Sequence, residues 1–330
     1  MTHSFKKIAV VGAGSMGGLL GAKLALDGHD VTFIARGATL DALRRGFTMI
    51  DTKGERHAPA VKAAAAEEAG PFDLVMLCLK AHQIAGAAAT LPRLFHETTP
   101  VVAVLNGIPW WYFHRSGGAF DGRALACVDP DGAIGRAIEG RRVVGAVIYA
   151  AAKVVAPGTV HVTDTMRFIL GEPDGSLSAR VQTLADIFNR TGFTTVVSQD
   201  IRSDIWTKVW GNSSFNPVSA LTGAGLASIA RNPGACDVVR AIMREVQQVV
   251  EALGLKMKMD LEERIRVTES LGDHKTSMLQ DIEARRTPET DANMGAVAEI
   301  AKLVGVPTPM LDTIHAMTRL LGRTVTGAAA

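Results

Sequence analysis

Lys7-Ile8-Ala9-Val10-Val11-Gly12-Ala13-Gly14-Ser15-Met16-Gly17-Gly18 is the stretch on which the fold turns. Its first five residues are a short, mostly β-branched run that reads as a buried strand. The run stops at a Gly-x-Gly-x-x-Gly loop, Gly12 to Gly17. A helical stretch follows, with Leu19, Leu20, Leu24 and Leu26 as its apolar surface, and Gly28 is placed to end it. Asp30–Ala35 then reads as a second strand. The whole is a strand–glycine loop–helix–strand unit of roughly 30 residues. Glycine supplies 33 of the 330 residues, so the bare pattern is weak, and an ordinary glycine-rich turn is the bland alternative. The setting is what makes it specific. Directly after a strand and opening a helix, Gly12 permits the tight turn. Gly14 lets the backbone approach a pyrophosphate, and Gly17 lets the helix lie close to the sheet. The helix N-terminus offers N–H groups and a partial positive charge to phosphates. Gly12, Ala13, Gly14, Ser15, Met16 and Gly17 are therefore candidate dinucleotide contacts.

The end of the second strand selects the dinucleotide. NAD sites usually carry Asp or Glu there for the ribose 2′-hydroxyl. This chain reads Val31-Thr32-Phe33-Ile34-Ala35-Arg36, without an acid. Arg36 offers a permanently charged planar fork suited to a 2′-phosphate, so NADP(H) is the expected cofactor; otherwise Arg36 is a surface arginine.

Working outward, Thr39–Arg45 reads as a short helix. Phe47–Ile50 and His57–Val61, around Lys53-Gly54, read as a hairpin-like insertion. Phe72–Leu79 and Val101–Leu105 are continuous apolar runs, as buried parallel strands are, with an Ala-rich helix, Ala81–Leu94, between them. Val143–Val155 and Thr159–Thr163 read as an antiparallel pair. Leu177–Asn189 reads as a helix and Thr194–Val197 as a last strand. From Ile201 onward the pattern is helical only, and Thr324–Ala330 is expected to fray. The fold class is thus an α/β, Rossmann-type doubly wound sheet in an N-terminal domain, residues 1–198, plus an all-α C-terminal domain, residues 199–330.

The totals exclude several function classes. Thirty-five Lys+Arg against 33 Asp+Glu leave a net charge of +2, and no basic block is interleaved with aromatics, which argues against nucleic acid. Lys256–Lys258 is soon followed by Glu262 and Glu263 and reads as a solvated helix face. Cys78, Cys127 and Cys236 form no CxxC pair, and the nine histidines show no metal-ligand spacing, so no metal is expected. The apolar runs are too short for a membrane span. Lys6 and Lys7 abut the first strand, so no secretory leader is expected, and the cysteine usage suits the cytoplasm. No GxSxG elbow supports hydrolase chemistry.

Candidate chemistry lies at strand ends and on one helix. Lys80 and Asn106 directly follow the third and fourth strands of the sheet reading, where open α/β sheets bind ligands. Their bland readings are a solvated lysine and a turn residue. Ser203 to Pro217 opens the helical part, and Lys208, Asn212 and Asn216, four apart, form one stripe drifting about 40° per step. Trp206 and Trp210 beside Lys208 would strip its hydration and lower its pKa toward a useful range. The bland alternative is a solvated polar stripe. Pro217 is expected to kink the helix. Lys275 to Ile282, Glu289 and Asp291 read by periodicity as ordinary polar positions of two further helices.

Together these segments resemble the ketopantoate reductase (2-dehydropantoate 2-reductase) family along nearly the whole chain. The resemblance rests on Ile8 to Gly17, Ala35-Arg36-Gly37, Lys80-Ala81 with Gln83, and Asn106-Gly107-Ile108. It continues in Trp206-Thr207-Lys208 with Asn212, Asn216 to Thr222, Thr276 to Asp281, and Gly305 to Pro309. It implies an NADP(H)-dependent reduction of a 2-keto acid, ketopantoate to pantoate in pantothenate biosynthesis, with Lys208 as general acid. Glu289 would position cofactor and lysine, and Asn106 would stand near the nicotinamide. Asn106, Asn212, Asn216 and Ser277 would bind substrate, and Gly12, Gly14, Gly17, Arg36 and Lys80 the cofactor. A homodimer is a further implication. Two departures stand out. The family's Thr-Glu-Ile-Asp then Asn-Gly becomes Pro288-Glu289-Thr290-Asp291 then Met294-Gly295. Trp110-Trp111-Tyr112-Phe113 follow Asn106 as an aromatic insert of a longer subgroup, either reshaping the substrate side or packing at the domain junction. Other readings are the same chemistry on another small 2-keto acid, and a non-catalytic NADP(H)-binding sensor.

Overall fold

The computed structural model describes residues 5–164 and 167–327. The strands are β1 Lys7–Val11, β2 Asp30–Ile34, β3 Thr48–Ile50, β4 Arg56–His57, β5 Lys62–Ala64 and β6 Leu74–Leu77, then β7 Val101–Val104, β8 Val143–Tyr149, β9 Ala152–Ala156, β10 Thr159–Val162, β11 Arg167–Gly171 and β12 Thr194–Val197. Eight of them form one sheet in the order β12-β11-β8-β7-β6-β1-β2-β5. From β5 to β8 every neighbour pair is parallel, while β11 pairs antiparallel with β8 and β12 lies parallel to β11, so these two run against the rest. Written in order of use, β5-β2-β1-β6-β7-β8 is the doubly wound order 3-2-1-4-5-6, which reverses between β1 and β6. Ile8, Val10, Leu74, Val75, Met76, Val101 and Val102 are buried, because a parallel sheet covered on both faces demands unbroken apolar strands.

Three local expectations change. Val143–Tyr149 does not belong to the hairpin: it pairs with β7 and β11 in the large sheet, as its run of buried residues requires. Only Ala152–Ala156 pairs antiparallel with β10, and with β3 and β4 these make a second, four-stranded sheet. That sheet packs on the first helix, Ser15–Leu26, where a Cβ on Gly18 would strike Val160. The Ala-rich segment is not one helix. It is a turn of helix at Ala81–Ile84 and two 3-10 turns, Ala85–Ala87 and Leu91–Leu94, as Gly86 and Pro92 favour. Lys256–Lys258 lies in the loop after the helix Pro233–Ala252, where Gly254 turns with φ +76°. Lys256 and Lys258 are exposed as expected, but from a loop rather than a helix face, and Lys258 pairs with buried Asp204 at 2.6 Å.

The chain divides into two compact units. The first holds the chain up to Leu105, Trp110–Ala124 and Asp131–Ile201; the second holds Asn106–Pro109, Leu125–Pro130 and the chain from Arg202. Past Ile201 the described residues are helical: Ile201–Thr222, Leu226–Arg231, Pro233–Ala252, Leu261–Ser270, Ser277–Glu283, a π-helix at Asp291–Gly295, Ala296–Val304 and Pro309–Thr326. Ile201–Thr222 runs through Pro217 as one helix. Trp206 and Trp210 are fully buried, and Trp210 Nε1 donates to the Met243 carbonyl at 2.7 Å, tying this helix to Pro233–Ala252. Thr324–Thr326 are helical; the rest of the tail expected to fray reaches residues 328–330, outside the described residues. No helix among the described residues is long and apolar enough to cross a membrane.

Candidate active site

In the first unit, the glycine loop sits at the carboxyl end of β1. Gly12 has φ +93°, and a Cβ there would press on the Cys78 carbonyl oxygen at 3.0 Å. A Cβ on Gly17 would collide with the Gly12 carbonyl oxygen, so the loop folds tightly on itself. Gly14 differs: a Cβ there would meet nothing within 4 Å, so no protein packing requires glycine at this exposed position. Gly14 is also the N-cap of Ser15–Leu26. It supplies no side-chain cap, and no acid lies in the first turn. The helix thus opens with N–H groups and positive dipole uncompensated by side chains, a ready anion site. Ala13, Ser15 and Met16 beside it are half-buried.

Arg36 is exposed, two residues beyond β2, in extended backbone ahead of the helix Gly37–Arg45. Lys80, half-buried, stands past the end of β6, and its N–H donates to Gln83 Oε1 at 3.2 Å. The glycine loop, Arg36 and Lys80 therefore follow three adjacent parallel strands, at the edge where strand order reverses. Trp110, Trp111, Tyr112 and Phe113 are buried in this unit. Trp111 lies against Gly145 of β8, and Phe113 packs on Phe120 at 5.7 Å. Burial pushes the Cys78 thiol up to about 12, as suits a packing residue.

In the second unit, Lys208 is half-buried on Ile201–Thr222, one turn before Asn212 and two before buried Asn216. Burial pulls the Lys208 ammonium down to about 8, against the opposing pull of the Glu289 carboxylate. Asn106 Nδ2 donates to Glu289 Oε2 at 3.1 Å, across 183 positions of sequence. Ser277 is exposed, the first residue of Ser277–Glu283, whose N-cap Thr276 accepts the Leu279 N–H. The structure thus joins Asn106, Glu289 and Lys208, and places Asn212 and Asn216 on the lysine's helix.

A feature missed from the sequence explains how Asn106 reaches Glu289. Glu289 lies two residues before the π-helix Asp291–Gly295, whose wider turn offers carbonyls to outside donors. The Ala292 carbonyl accepts the Ile108 N–H at 2.9 Å, which docks the Asn106–Pro109 segment into this unit. Gly107 makes the docking possible, with φ +83° and no room for a Cβ against the Ala292 carbonyl. Gly107→Ala is expected to cost about 1–2 kcal/mol from backbone conformation alone, before the collision is added. A urea midpoint equal to that of the parent would contradict this contact. Nothing local in Pro288 to Gly295 signals a π-turn; the sign lies in the distant Gly107.

Comparisons with known proteins follow the same course. Residues 8–175 match the ketopantoate reductase PanE/ApbA family and residues 200–322 its C-terminal counterpart. A 2-dehydropantoate 2-reductase of Mesorhizobium japonicum is 45% identical over 317 residues, covering 96% of this chain and 97% of the relative. A crystal structure of a candidate ketopantoate reductase from Ralstonia solanacearum superimposes with a TM-score of 0.93 at 40% identity, covering 97% of this chain and 99% of that one. A 2-dehydropantoate 2-reductase from Methylococcus capsulatus gives 0.82 at 26%, covering 98% of each. With the sheet and the helical part both matched, in order and nearly end to end, this chain belongs to the ketopantoate reductase family.

Proposed function

We propose that this protein is an NADPH-dependent oxidoreductase that reduces ketopantoate to pantoate, with Lys208 as general acid. The observation that carries the reading is Lys208 itself: a half-buried lysine pulled to about 8 beside Glu289. A lysine near 10.5 would hold its proton too tightly at neutral pH; one near 8 is charged and still able to give it up.

The chain's residues fit the cofactor. The uncapped helix start and the open surface over Gly14 would take its pyrophosphate, Arg36 its 2′-phosphate, and Lys80 a further anionic group. In this reading residues 1–198 bind dinucleotide and 199–330 bind substrate. When bound, NADPH supplies the hydride that the substrate's C2 carbon accepts. Lys208 holds positive charge at the C2 oxygen, where negative charge develops, and then gives it a proton. Glu289, gripped by Asn106, keeps that ammonium protonated between turnovers. Asn212, Asn216 and Ser277 orient the substrate without adding charge.

Steady oxidation of NADPH with a panel of 2-keto acids tests the reading. Ketopantoate should give the highest kcat/KM; a better rate with another acid would move the substrate, and no turnover with any would defeat the reading. The pH profile adds a second check. Lys208 must be protonated to act, so kcat/KM for reduction should be level below about pH 8 and fall above it. Glu289→Gln removes the charge that raises Lys208, so the fall should begin at lower pH. A profile flat through pH 9.5 or so would count against Lys208 as the acid.

A further inference from the structure

Asn293 is only 2% exposed, within the π-helix that follows Glu289. Its Nδ2 donates to the Glu289 main-chain carbonyl at 2.8 Å, while its own backbone N–H reaches that carbonyl at only 3.3 Å. The side chain therefore makes the shorter of the two bonds on this oxygen. Its other polar atom is left over: Oδ1 is buried with no hydrogen-bond partner among the described residues, and so is Oγ1 of Thr290, three positions earlier. An orphaned buried acceptor is destabilising. A leucine of similar size would carry no such cost, so stability alone does not account for an asparagine here.

We propose that Asn293 is a positioning residue for the Lys208–Glu289 pair, acting through the Glu289 main-chain carbonyl; the inference rests on the reading of Lys208 as proton donor. Glu289 is held at both ends. Asn106 grips its carboxylate at 3.1 Å, and Asn293 grips its carbonyl. The two grips depend on each other, because the same π-turn presents the Ala292 carbonyl that docks Ile108, and with it Asn106. The Asp291 carbonyl likewise accepts from the Cys127 thiol at 3.3 Å. If the bond from Asn293 is lost, this turn is free to relax toward ordinary α-helical register. The Glu289 carboxylate then loses its fixed reach toward Lys208, while Lys208, Asn212, Asn216 and Ser277 themselves stay in place.

The experiment compares the full-length protein with Asn293→Leu and Asn293→Ser. Leucine removes the donor and the orphaned acceptor together. Serine keeps a donor, since a helical serine hydroxyl can bond the carbonyl four residues back. For Asn293→Leu we expect thermal stability equal to or above the parent, kcat about tenfold lower, and KM for NADPH unchanged. The Lys208 titration, followed by NMR of its ammonium group in cofactor-free protein, should move to lower pH because Glu289 no longer supports it. Asn293→Ser should recover most of both. The titration needs no substrate, so it separates two failures. A parent enzyme inactive on 2-keto acids, with the Lys208 shift present and rescued by serine, would defeat the functional reading and support the positioning role. An unchanged Lys208 titration and kcat, with a lowered melting temperature, would show Asn293 to be structural and overturn the proposal. Loss of the shift's rescue in Asn293→Ser would overturn it as well.

Discussion

Lys208→Ala is expected to lower kcat by roughly 10²–10⁴ with the fold intact, the usual contribution of a positioned general acid. The fold should survive because the variant removes a partly desolvated ammonium rather than an apolar core residue and leaves the buried Trp206 and Trp210 in place. The loss should fall on kcat, since charge on the C2 oxygen grows only as the carbonyl is reduced. Lys208→Arg sharpens the test. It keeps a cation, yet a guanidinium cannot release its proton at these pH values, so most of the loss should remain. Single-turnover rates with enzyme in excess, alongside thermal melts, read both effects. Near-normal turnover in the alanine variant would reject the assignment.

Arg36→Ala is expected to weaken NADPH by about 2 kcal/mol, near 30-fold in Kd, while leaving NADH almost unchanged. The cofactors differ only in the 2′-phosphate, and the strand before Arg36 ends without the acid that would favour a free 2′-hydroxyl. Arg36 is exposed, so the effect should shrink as salt rises. Calorimetric titration of both cofactors at one ionic strength decides it. Equal losses would show that Arg36 does not read the 2′-phosphate.

Much of the first unit was legible because its signals are local. A β-branched run, three spaced glycines and an apolar helix are enough to predict strand, loop and helix, and the structure has them at Lys7–Val11 and Ser15–Leu26. β5 was missed because Lys62-Ala63-Ala64 is short, small and polar at one end, with no β-branched residue to mark it. β8 was joined to the wrong partner because an apolar run followed by Pro157-Gly158 looks like one arm of a hairpin. Only the burial of its continuous Val143–Ile148 face assigns it to the large sheet.

The candidate site divides along the same line. Gly14, Arg36 and Lys80 are visible because each follows a strand in a known order. Lys208, Asn212 and Asn216 are visible because helical spacing aligns them. The Asn106–Glu289 bond joins residues far apart in the chain, and no periodicity encodes it. Asn293 was passed over because it reads as one more polar helix residue. Its meaning lies in a π-turn that depends on a glycine and an isoleucine N–H arriving from a segment nearly two hundred residues earlier.

The proposed reduction delivers hydrogen to C2 of ketopantoate. It is tested most directly by incubating the protein with ketopantoate and NADPH doubly deuterated at nicotinamide C4, then examining the product by mass spectrometry and NMR. Pantoate should carry a single deuterium, located on C2. Absence of pantoate, or pantoate formed without the label, would contradict it.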